Sequence, residues 1–334
     1  MPCWPEAVTL KMTTICVILL LEVFLEDVEI LKASFITKVW GGIRLAELKS
    51  LSDKSLLPLG ESWEVSRHSD GPSQLSNGQR LDELLKKEDL PYLVKFIDTT
   101  DNLSIQVHPG NEYAKRVENS SGKTECWLIL DSEPEAGIFL GLKEGISKEG
   151  LKMALHQKED ISKLMNFYPV SRGDFFFVPA GAIHAIGKGV TLAEIQQSSG
   201  ITYRVWDWNR LGIDGNPREL HIEKAIDVIN FDSSFNRPET FKIKKGIFEK
   251  ENHRVISYTD FNVDLYCEEA GKIVTLEPSQ ERRLRSIICM KGEVECLGKR
   301  IVSYQSALLT NHESFEIISK GESASQKSIF LVIS

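Results

Sequence analysis

One pattern recurs over most of the chain: short runs rich in β-branched and aromatic residues, each bounded by Gly, Pro, Asn or Asp. In the first part of the chain the runs are FITKVW, SWEVS, PYLVKFID, LSIQVHP, ECWLILD, FFFVPAG and TLAEIQQ. From about residue 240 they continue as KIVTLEP, RSIICMKGEVECLG, SALLTNH and SIFLVIS. Short strands at this spacing are typical of sandwiches and barrels. We therefore predict a mainly β protein with two jelly-roll-like β-barrel halves and a small helical insertion.

Two segments depart from the β pattern. Residues 146–167 change to helical spacing with charged faces, which predicts the helical insertion. A second helix is predicted from Pro217, because proline favours the first helical position and PRELHIEKAIDVINF carries a loose apolar stripe. His156 in the first helix is interpreted as a surface residue, and His221 in the second as structural.

The beginning of the chain is unusual. Residues 13–25 read TTICVILLLEVFL, an apolar run interrupted by Glu22. The run is shorter than the about 20 apolar residues of a membrane span, and it lacks the basic start and small-residue cleavage site of a signal peptide. We interpret residues 1–30 as an atypical N-terminal extension, either packed as a helix or strand or produced by a start codon assigned too far upstream.

Composition limits the classes of partner. The 334 residues carry a net charge of −8 with the two signs well mixed. This balance argues against a nucleic-acid-binding surface, which requires a basic face, although it is compatible with a local basic pocket for a small anion. The six cysteines include no CxxC pair, so free thiols and a reducing, cytoplasmic location are expected.

The sequence GDFFFVPAGAIHAI, residues 173–186, contains the spacing G-x5-P-x-G-x2-H, which ends at His184. Pro179 and Gly181 are expected to end a strand in a tight turn, so that the histidine just beyond points back into the mouth of a barrel. This spacing resembles the second metal motif of the cupin superfamily. Lys188 stands where that motif usually has Asn.

A metal needs further ligands, and the upstream strands offer them. In LSIQVHP, Gln106 and His108 are two residues apart and are expected to project from the same face of a strand. Glu125, in GKTECW, lies in the next predicted strand. With His184, these residues give two imidazoles, a carboxylate and a fourth donor, and they leave room for water or substrate as in catalytic zinc sites. Two histidines and one carboxylate also describe the iron site of non-haem oxygenases, so the ligands alone do not choose the metal.

The predicted ligands divide the chain into regions with different roles. The extension of residues 1–30 is followed by a catalytic metal-binding domain, residues 31–240, and by a C-terminal β domain, residues 241–334. The last region has no His-x-His pair, and His253 and His312 stand alone. We expect it to be metal-free, with a role in packing or oligomerisation.

Several longer segments occur in a characteristic order. They are VWGGIRLAE, GESWEVSRH, LVKF, LSIQVHP, GKTECW, VPAGAIHAI, EIQQSSGITYRVWDWNR and RELHIEKAIDVI. On these segments the chain resembles the type I mannose-6-phosphate isomerases of the short bacterial form. The resemblance runs from about residue 31 to about residue 232 and continues more weakly beyond.

The resemblance implies a zinc-dependent enzyme, with a single Zn²⁺ per chain, that interconverts mannose 6-phosphate and fructose 6-phosphate through an enediolate. It places the metal ligands at Gln106, His108, Glu125 and His184, the active-site arginine at Arg204, and other pocket residues at Glu194, Lys95 and Glu61. Such chemistry needs a Lewis acid beside the sugar oxygens and cationic side chains for the phosphate. Lys95 alternates with apolar neighbours in LVKF and therefore lies on the opposite face of the strand. If that face is the inward one, we expect an anion near the Lys95 ammonium, because a buried unpaired charge is costly.

The general base is left open by the sequence. Glu194, a hydroxide held by the metal, or a histidine such as His68 would each serve. Tyr203 and Lys123 are further pocket candidates without an assigned role.

Two other functions remain possible. One is a cupin oxygenase that holds iron in the same triad, and the other is a non-catalytic sugar-binding cupin. Lys95 and Arg204 favour the isomerase over the oxygenase, and the complete ligand set favours an enzyme over a pure binder. The expected partner is a small sugar phosphate; neither nucleic acid nor membrane is expected, and the sequence does not predict the oligomeric state.

Overall fold

The computed structural model describes residues 26–212, 214–278, 284–311, 313–321, 323 and 325–334. The apolar run at residues 13–25, Cys3, Cys16 and His312 lie outside the described residues. The described chain is mainly β, which confirms the predicted fold class. None of its helices, over these residues, is long and apolar enough to cross a membrane.

The strands fall into two groups along the chain, and the α-helices of the described residues all precede the second group. The first group of strands comprises β1 Val28–Ile30, β2 Ser34–Gly42, β3 Leu59–Val65, β4 Tyr92–Asp98, β5 Ile105–Val107, β6 Glu125–Ser132, β7 Gly137–Leu142, β8 Met165–Pro169, β9 Phe175–Val178, β10 His184–Ile186, β11 Val190–Gln197 and β12 Tyr203–Trp206. The second comprises β13 His253–Ser257, β14 Asn262–Glu269, β15 Ile273–Leu276, β16 Arg285–Lys291, β17 Glu293–Cys296, β18 Lys299–Val302, β19 Ser306–Leu309, β20 Phe315–Lys320 and β21 Lys327–Ile333. The α-helices are α1 Arg44–Leu48, α2 Leu81–Leu84, α3 Asn111–Glu118, α4 Lys148–His156 and α5 Ile222–Val228, and 3₁₀ turns lie at Lys54–Leu56, Ile161–Leu164 and Ile247–Glu249.

The strands form four antiparallel sheets. In the N-terminal half, a six-stranded sheet of order β2-β3-β4-β11-β6-β9 accompanies a five-stranded sheet of order β12-β5-β10-β7-β8. In the C-terminal half, a six-stranded sheet of order β1-β19-β16-β21-β14-β13 accompanies a four-stranded sheet of order β15-β20-β17-β18.

The six-stranded sheet of the N-terminal half has two unlike faces, because successive side chains of a strand point to opposite sides. One face carries Val94, Phe96 and Leu128, which join C-terminal residues such as Leu331 in one apolar cluster. The two halves are therefore held together by a shared core.

The opposite face of this sheet changes character along its length. Ile129 and Leu192 belong to an apolar cluster that also contains Ile138 and Leu140 of the five-stranded sheet. Further along this face of the sheet, the inward residues are charged: Lys95 and Glu194 are buried there as well. A polar pocket thus interrupts an otherwise apolar interior.

Two segments near the expected domain boundaries pair with the neighbouring half. Strand β1 lies within the predicted extension, yet it pairs with β19, with Val28 opposite Leu309. It therefore forms an edge of the C-terminal sheet. Residues 241–247, expected in the C-terminal domain, instead bond to β9: the Phe177 N–H donates to the Phe241 carbonyl at 2.8 Å. The C-terminal half therefore contains β1, which precedes the catalytic half in the chain, and its other strands begin at β13.

The helix predicted over residues 146–167 is shorter than expected. Helix α4 ends at His156, and Lys158 then adopts a positive φ of 57°, which turns the chain out of the helix. Strand β8 begins at Met165. His156 is exposed on the helix surface, as predicted.

The second predicted helix begins later than the proline signal indicates. Helix α5 starts at Ile222, whereas Pro217 lies in an isolated bridge with Leu211. The His221 N–H donates to the Arg204 carbonyl at 2.8 Å, and the His221 Nδ1 accepts from the Arg204 N–H at 3.2 Å. Pairing with β12 thus replaces the first helical turn, and His221 has a structural role.

Candidate active site

Three side chains converge inside the N-terminal half: His108 directly after β5, Glu125 at the start of β6 and His184 at the start of β10. One ligand atom from each lies within 4.8 Å of the others. The His108 Nε2 is 3.4 Å from Glu125 Oε2, and the His184 Nε2 is 3.5 Å from Glu125 Oε1. All three residues are buried, so the cluster is not an incidental surface group.

The turn before His184 explains how the histidine reaches this position. Gly181 has a φ of +86°, a conformation that favours glycine, and this allows the chain to reverse between β9 and β10 just after Pro179. The Gly181 N–H also donates to the His108 carbonyl at 2.9 Å. The turn is thereby tied to the first histidine, which lies directly after β5.

Hydrogen bonds fix which nitrogen of each imidazole faces the cluster. The His108 Nδ1 lies 2.8 Å from the Ile201 carbonyl, and the His184 Nδ1 lies 2.9 Å from the Ala182 carbonyl. Because a carbonyl only accepts, each Nδ1 must carry the proton. Each Nε2 is then an unprotonated lone pair directed at Glu125, which is the arrangement that metal-ligating histidines require.

The burial of these groups fits a bound cation. Within the described residues, His108 Nε2 and Glu125 Oε1 are buried with no hydrogen-bond partner, and such unpartnered buried groups are costly. Burial lowers the pKa of His108 to about 3, with Lys123 contributing. Burial alone raises the pKa of Glu125, but the neighbouring Lys123 ammonium opposes it, and the pKa is held well below its usual range. Two neutral imidazoles and one carboxylate result.

Gln106 lies beside this triad but presents its nitrogen. Its Nε2 is 3.3 Å from His184 Nε2, while its Oε1 accepts from the Ser104 hydroxyl at 3.3 Å. A rotation of the amide by half a turn places the oxygen toward the histidine. Gln106 therefore lies where a fourth ligand is expected, but its amide oxygen, the atom that would bind a metal, faces away from the triad.

A pocket of about 320 Å³ opens next to the triad. It is lined by Lys38, Trp40, Glu61, Lys95, Ile97, Leu103, Ser104, Gln106, Lys123, Glu194, Gly200, Thr202, Arg204 and Arg218. Five of these side chains are cationic and two are acidic, although the whole chain has a net charge of −8. The pocket is thus locally suited to an anionic ligand.

Two lysines flank the carboxylate of Glu194. Its Oε1 lies 3.8 Å from both Lys95 Nζ and Lys123 Nζ, and its Oε2 accepts from the Trp127 indole at 3.1 Å. Burial and the nearby Glu125 nevertheless raise the pKa of Glu194. Burial also lowers the pKa of Lys95, although the neighbouring carboxylates act to raise it. The pKa of Glu194 is therefore raised in spite of the two cations beside it.

Lys123 is held close to the triad. Its Nζ is 2.9 Å from Glu125 Oε2. Burial acts to lower its pKa, but Glu125 and Glu194 outweigh burial and raise it. Lys123 therefore remains a cation at the boundary between the triad and the pocket.

Glu61 is held at another wall of the pocket. It accepts from the Trp63 indole at 2.8 Å and lies 3.8 Å from Lys38 Nζ. The Lys95 Nζ sits 4.0 Å above the Trp63 ring, a cation–π geometry. Burial acts to raise the pKa of Glu61, but Lys95 and Lys38 lower it, so this carboxylate is ionised.

Two arginines complete the lining. Arg204 lies opposite Gln106 in the register of β12 and β5, and it donates from Nη1 to the Glu219 carbonyl at 2.7 Å. Its Nε is buried without a hydrogen-bond partner in the described part of the chain. Arg218 is oriented by Asp207, which accepts from Arg218 Nε at 2.7 Å.

Comparison with known proteins places this site in a family. Residues 28–141 match the family model for the catalytic domain of type I phosphomannose isomerase. The chain is 36% identical over 271 residues to the mannose-6-phosphate isomerase of Streptococcus mutans, which covers 77% of this chain and 83% of the relative. This chain belongs to the type I phosphomannose isomerase family. The Bacillus subtilis mannose-6-phosphate isomerase ManA is 38% identical over 217 residues, which cover 60% of this chain and 68% of the relative.

Solved structures of phosphomannose isomerases share the fold. The crystal structure of the mannose 6-phosphate isomerase from Bacillus subtilis aligns with a TM-score of 0.76 and 27% identity, over 92% of this chain and 100% of that one. A putative mannosephosphate isomerase from Archaeoglobus fulgidus aligns with a TM-score of 0.69 at 22% identity, over 91% and 97% of the two chains. The prediction of a phosphomannose isomerase is confirmed at the level of the family.

Not every candidate lies in the pocket of this phosphomannose isomerase. Tyr203 points to the other face of β12, where its hydroxyl donates to Glu118 at 2.8 Å. His68 lies against Gly200. Its ring centroid is 5.7 Å from that of Trp63 with the ring planes tilted by 55°, and its Nδ1 accepts from the Asp70 N–H at 3.2 Å. Neither side chain is among the pocket-lining residues.

Two cationic residues of the phosphomannose isomerase pocket were not predicted from the sequence. Lys38 in TKVWGG and Arg218 in PREL both line it. The alternation of Lys38 with the buried Trp40 is a signal for an inward position, since residues two apart in a strand share a face. Arg218 follows an irregular segment, and no periodicity marks its direction.

Proposed function

We propose that this chain interconverts mannose 6-phosphate and fructose 6-phosphate with a single Zn²⁺ held by His108, Glu125, His184 and Gln106. The observation that carries the proposal is the buried triad, with its unpartnered lone pairs, at the wall of an anion-attracting pocket. Two imidazoles, a carboxylate and an amide are a donor set that suits Zn²⁺. When bound, Zn²⁺ supplies a Lewis acid beside the sugar oxygens.

The cationic side chains bind and orient the substrate. Arg204 and Arg218 offer planar donors to the phosphate or to the enediolate oxygens, and Lys38 and Lys95 add positive charge. Arg204 is next to Gln106 across the sheet, so we assign it to the oxygens where negative charge develops.

We assign the proton transfer to Glu194. A base near its pKa at working pH is the most effective, and Glu194 is a buried pocket carboxylate whose pKa is raised. It takes the proton from C2 of the aldose and delivers it to C1 of the resulting enediolate, while the hydroxyl proton moves from O2 to O1, so that the ketose forms with no net gain or loss of protons. His68 is a weaker candidate because it does not line the pocket.

The catalytic assignment belongs to the N-terminal half, and the C-terminal half is assigned a structural role. The triad and all lining residues fall between residues 38 and 218. Among the described residues, no other group of histidines, cysteines or carboxylates has metal-ligand geometry. The concentration of cationic groups also favours a sugar phosphate over the oxygenase alternative.

A coupled assay tests the proposal. Purified full-length protein is supplied with mannose 6-phosphate, and fructose 6-phosphate formation is followed before chelation, after chelation and after addition of Zn²⁺. We expect turnover that chelation abolishes and Zn²⁺ restores. Folded, Zn²⁺-loaded protein without turnover would contradict the isomerase assignment, and turnover that resists complete metal removal would contradict the metal dependence.

A further inference from the structure

One buried amide touches two of the segments that carry the proposed metal ligands. The Gln197 side chain accepts the Thr124 N–H at 2.7 Å, immediately before Glu125. Its Nε2 donates to Asn111 Oδ1 at 3.2 Å, in the segment that follows His108. Gln197 is almost completely buried, so its orientation is set by these bonds.

Thr124 connects the third ligand-bearing segment to Gln197. The Thr124 hydroxyl accepts the Ala180 N–H at 3.2 Å, in the turn that leads to His184. The Thr124 carbonyl also accepts the Gln197 N–H at 3.0 Å. Gln197 and Thr124 together therefore bridge the chain around His108, Glu125 and His184.

A residue of the C-terminal half completes this network. Asp260, in the turn between β13 and β14, accepts a hydrogen bond from Gln197 Nε2. The turn is firmly seated: Phe261 is fully buried in the shared core, and the Tyr258 ring lies 5.9 Å from that of Phe177 in β9. Asp260 is thus presented to Gln197 by a packed hairpin rather than by an independent loop.

We propose that Asp260 is a positioning residue through which the C-terminal half orients the metal centre. Asp260 fixes the amide of Gln197, and Gln197 with Thr124 fixes the three ligand-bearing segments. The inference rests on the proposed function only in taking the triad as a metal site. It gives the C-terminal half a specific role beyond packing.

Co²⁺ titration tests this role without measuring catalysis. Co²⁺ bound to nitrogen and oxygen ligands absorbs visible light, so its dissociation constant is read directly from metal-free protein. Asp260→Ala removes the acceptor, and we expect the dissociation constant to rise about tenfold, the lower end of the effect of outer-shell partners. Asp260→Asn keeps an acceptor oxygen and is expected to restore wild-type affinity.

Asp264→Ala is the matched control, because Asp264 lies on the same hairpin but pairs with Arg254 instead of with Gln197. Its Co²⁺ affinity should be that of the wild type. Gln197→Glu is a second variant that keeps the oxygen for Thr124 and loses the donor to Asp260, and it should weaken Co²⁺ binding as well.

Three results would overturn the inference: unchanged Co²⁺ affinity in folded Asp260→Ala, equal weakening by the Asp264→Ala control, or equal weakening by Asp260→Asn. Wild-type protein that binds no Co²⁺ would instead contradict the proposed metal centre itself. The two failures are therefore distinguished by the wild-type titration.

Discussion

The interiors of the two halves are built from the same kind of antiparallel sheets but carry opposite chemistry. The N-terminal interior holds buried charges such as Lys95, Glu125 and Glu194. The interior of the C-terminal half is a cluster of apolar side chains that includes Val294 and Ile317. Sheet architecture alone therefore does not make a site; the residues at a few inward positions do.

The comparison also shows where stability and function are separated. Buried charges are costly unless they are paired, and in the N-terminal half each has an opposite charge nearby, such as Lys123 at 2.9 Å from Glu125. The C-terminal half buries mainly apolar surface, with Arg285 as a buried cation that donates to backbone carbonyls, and it shares a core with the catalytic sheet. Through this shared core the C-terminal half stabilises the N-terminal half, whose buried charges carry a free-energy cost.

The largest loss is expected on removing a metal ligand from the charged interior. His184→Ala should lose metal and lower kcat/KM by more than about 10³-fold, because a methyl group cannot ligate and the Lewis acid contributes several kcal/mol. Metal content and initial rates check this. His156→Ala, on the exposed face of α4, is the matched control and should retain both. Full activity in His184→Ala would remove His184 from the centre.

A smaller loss is expected when the metal centre is kept and the arginine beside it is removed. Arg204→Ala should bind metal normally and lower kcat/KM by about 10²- to 10³-fold, as for the loss of one preorganised donor. The control Arg300→Ala breaks an exposed ion pair with Glu293 in the C-terminal half and should have no effect. Wild-type turnover in Arg204→Ala would show that its assigned role is wrong.

The pH dependence of kcat/KM tests the assignment of Glu194 as the general base. Lys95 lowers the pKa of Glu194, against the raising effects of burial and Glu125. Removing that charge in Lys95→Met should raise the pKa further, so that Glu194 stays protonated to higher pH. The acidic limb of the residual kcat/KM should therefore move to higher pH. An unmoved or lowered limb would mean that another group titrates there.

The smallest effect is expected in the apolar interior. Ile317→Val deletes one fully buried methyl group and should lower the free energy of unfolding by about 1 kcal/mol. Because Ile317 contacts no pocket residue through its apolar cluster, kcat/KM should not change. Denaturant unfolding and the coupled assay measure the two quantities, and a large loss of rate would contradict the separation of roles.

The sequence predicts the regular parts of this molecule well because they depend on local signals. Alternating runs bounded by turn residues predict a mainly β fold, and the spacing from Gly173 through Pro179 and Gly181 predicts the turn that precedes His184. The same alternation places Lys95 on the face opposite its apolar neighbours, although only the family resemblance favours an inward position over a barrel-exterior one. Each of these inferences needs only the period of a strand and the conformational limits of glycine and proline.

The remaining features depend on contacts that are distant in sequence. Strand β1 is three residues long, and only its pairing with β19 assigns it to the C-terminal sheet. The helix expected from Pro217 loses its first turn because residue 221 bonds to β12. Tyr203 and Arg204 were both pocket candidates, yet neighbours in a strand point to opposite faces; that rule already separates them, and only Arg204 lines the pocket.

The most direct test of the account is a Zn²⁺ titration of the metal-free protein during the conversion of mannose 6-phosphate. If catalysis depends on the single centre in the N-terminal half, activity should rise in proportion to added Zn²⁺ and stop rising at one ion per chain. A plateau at a different stoichiometry, or no restored activity in folded protein, would contradict that claim.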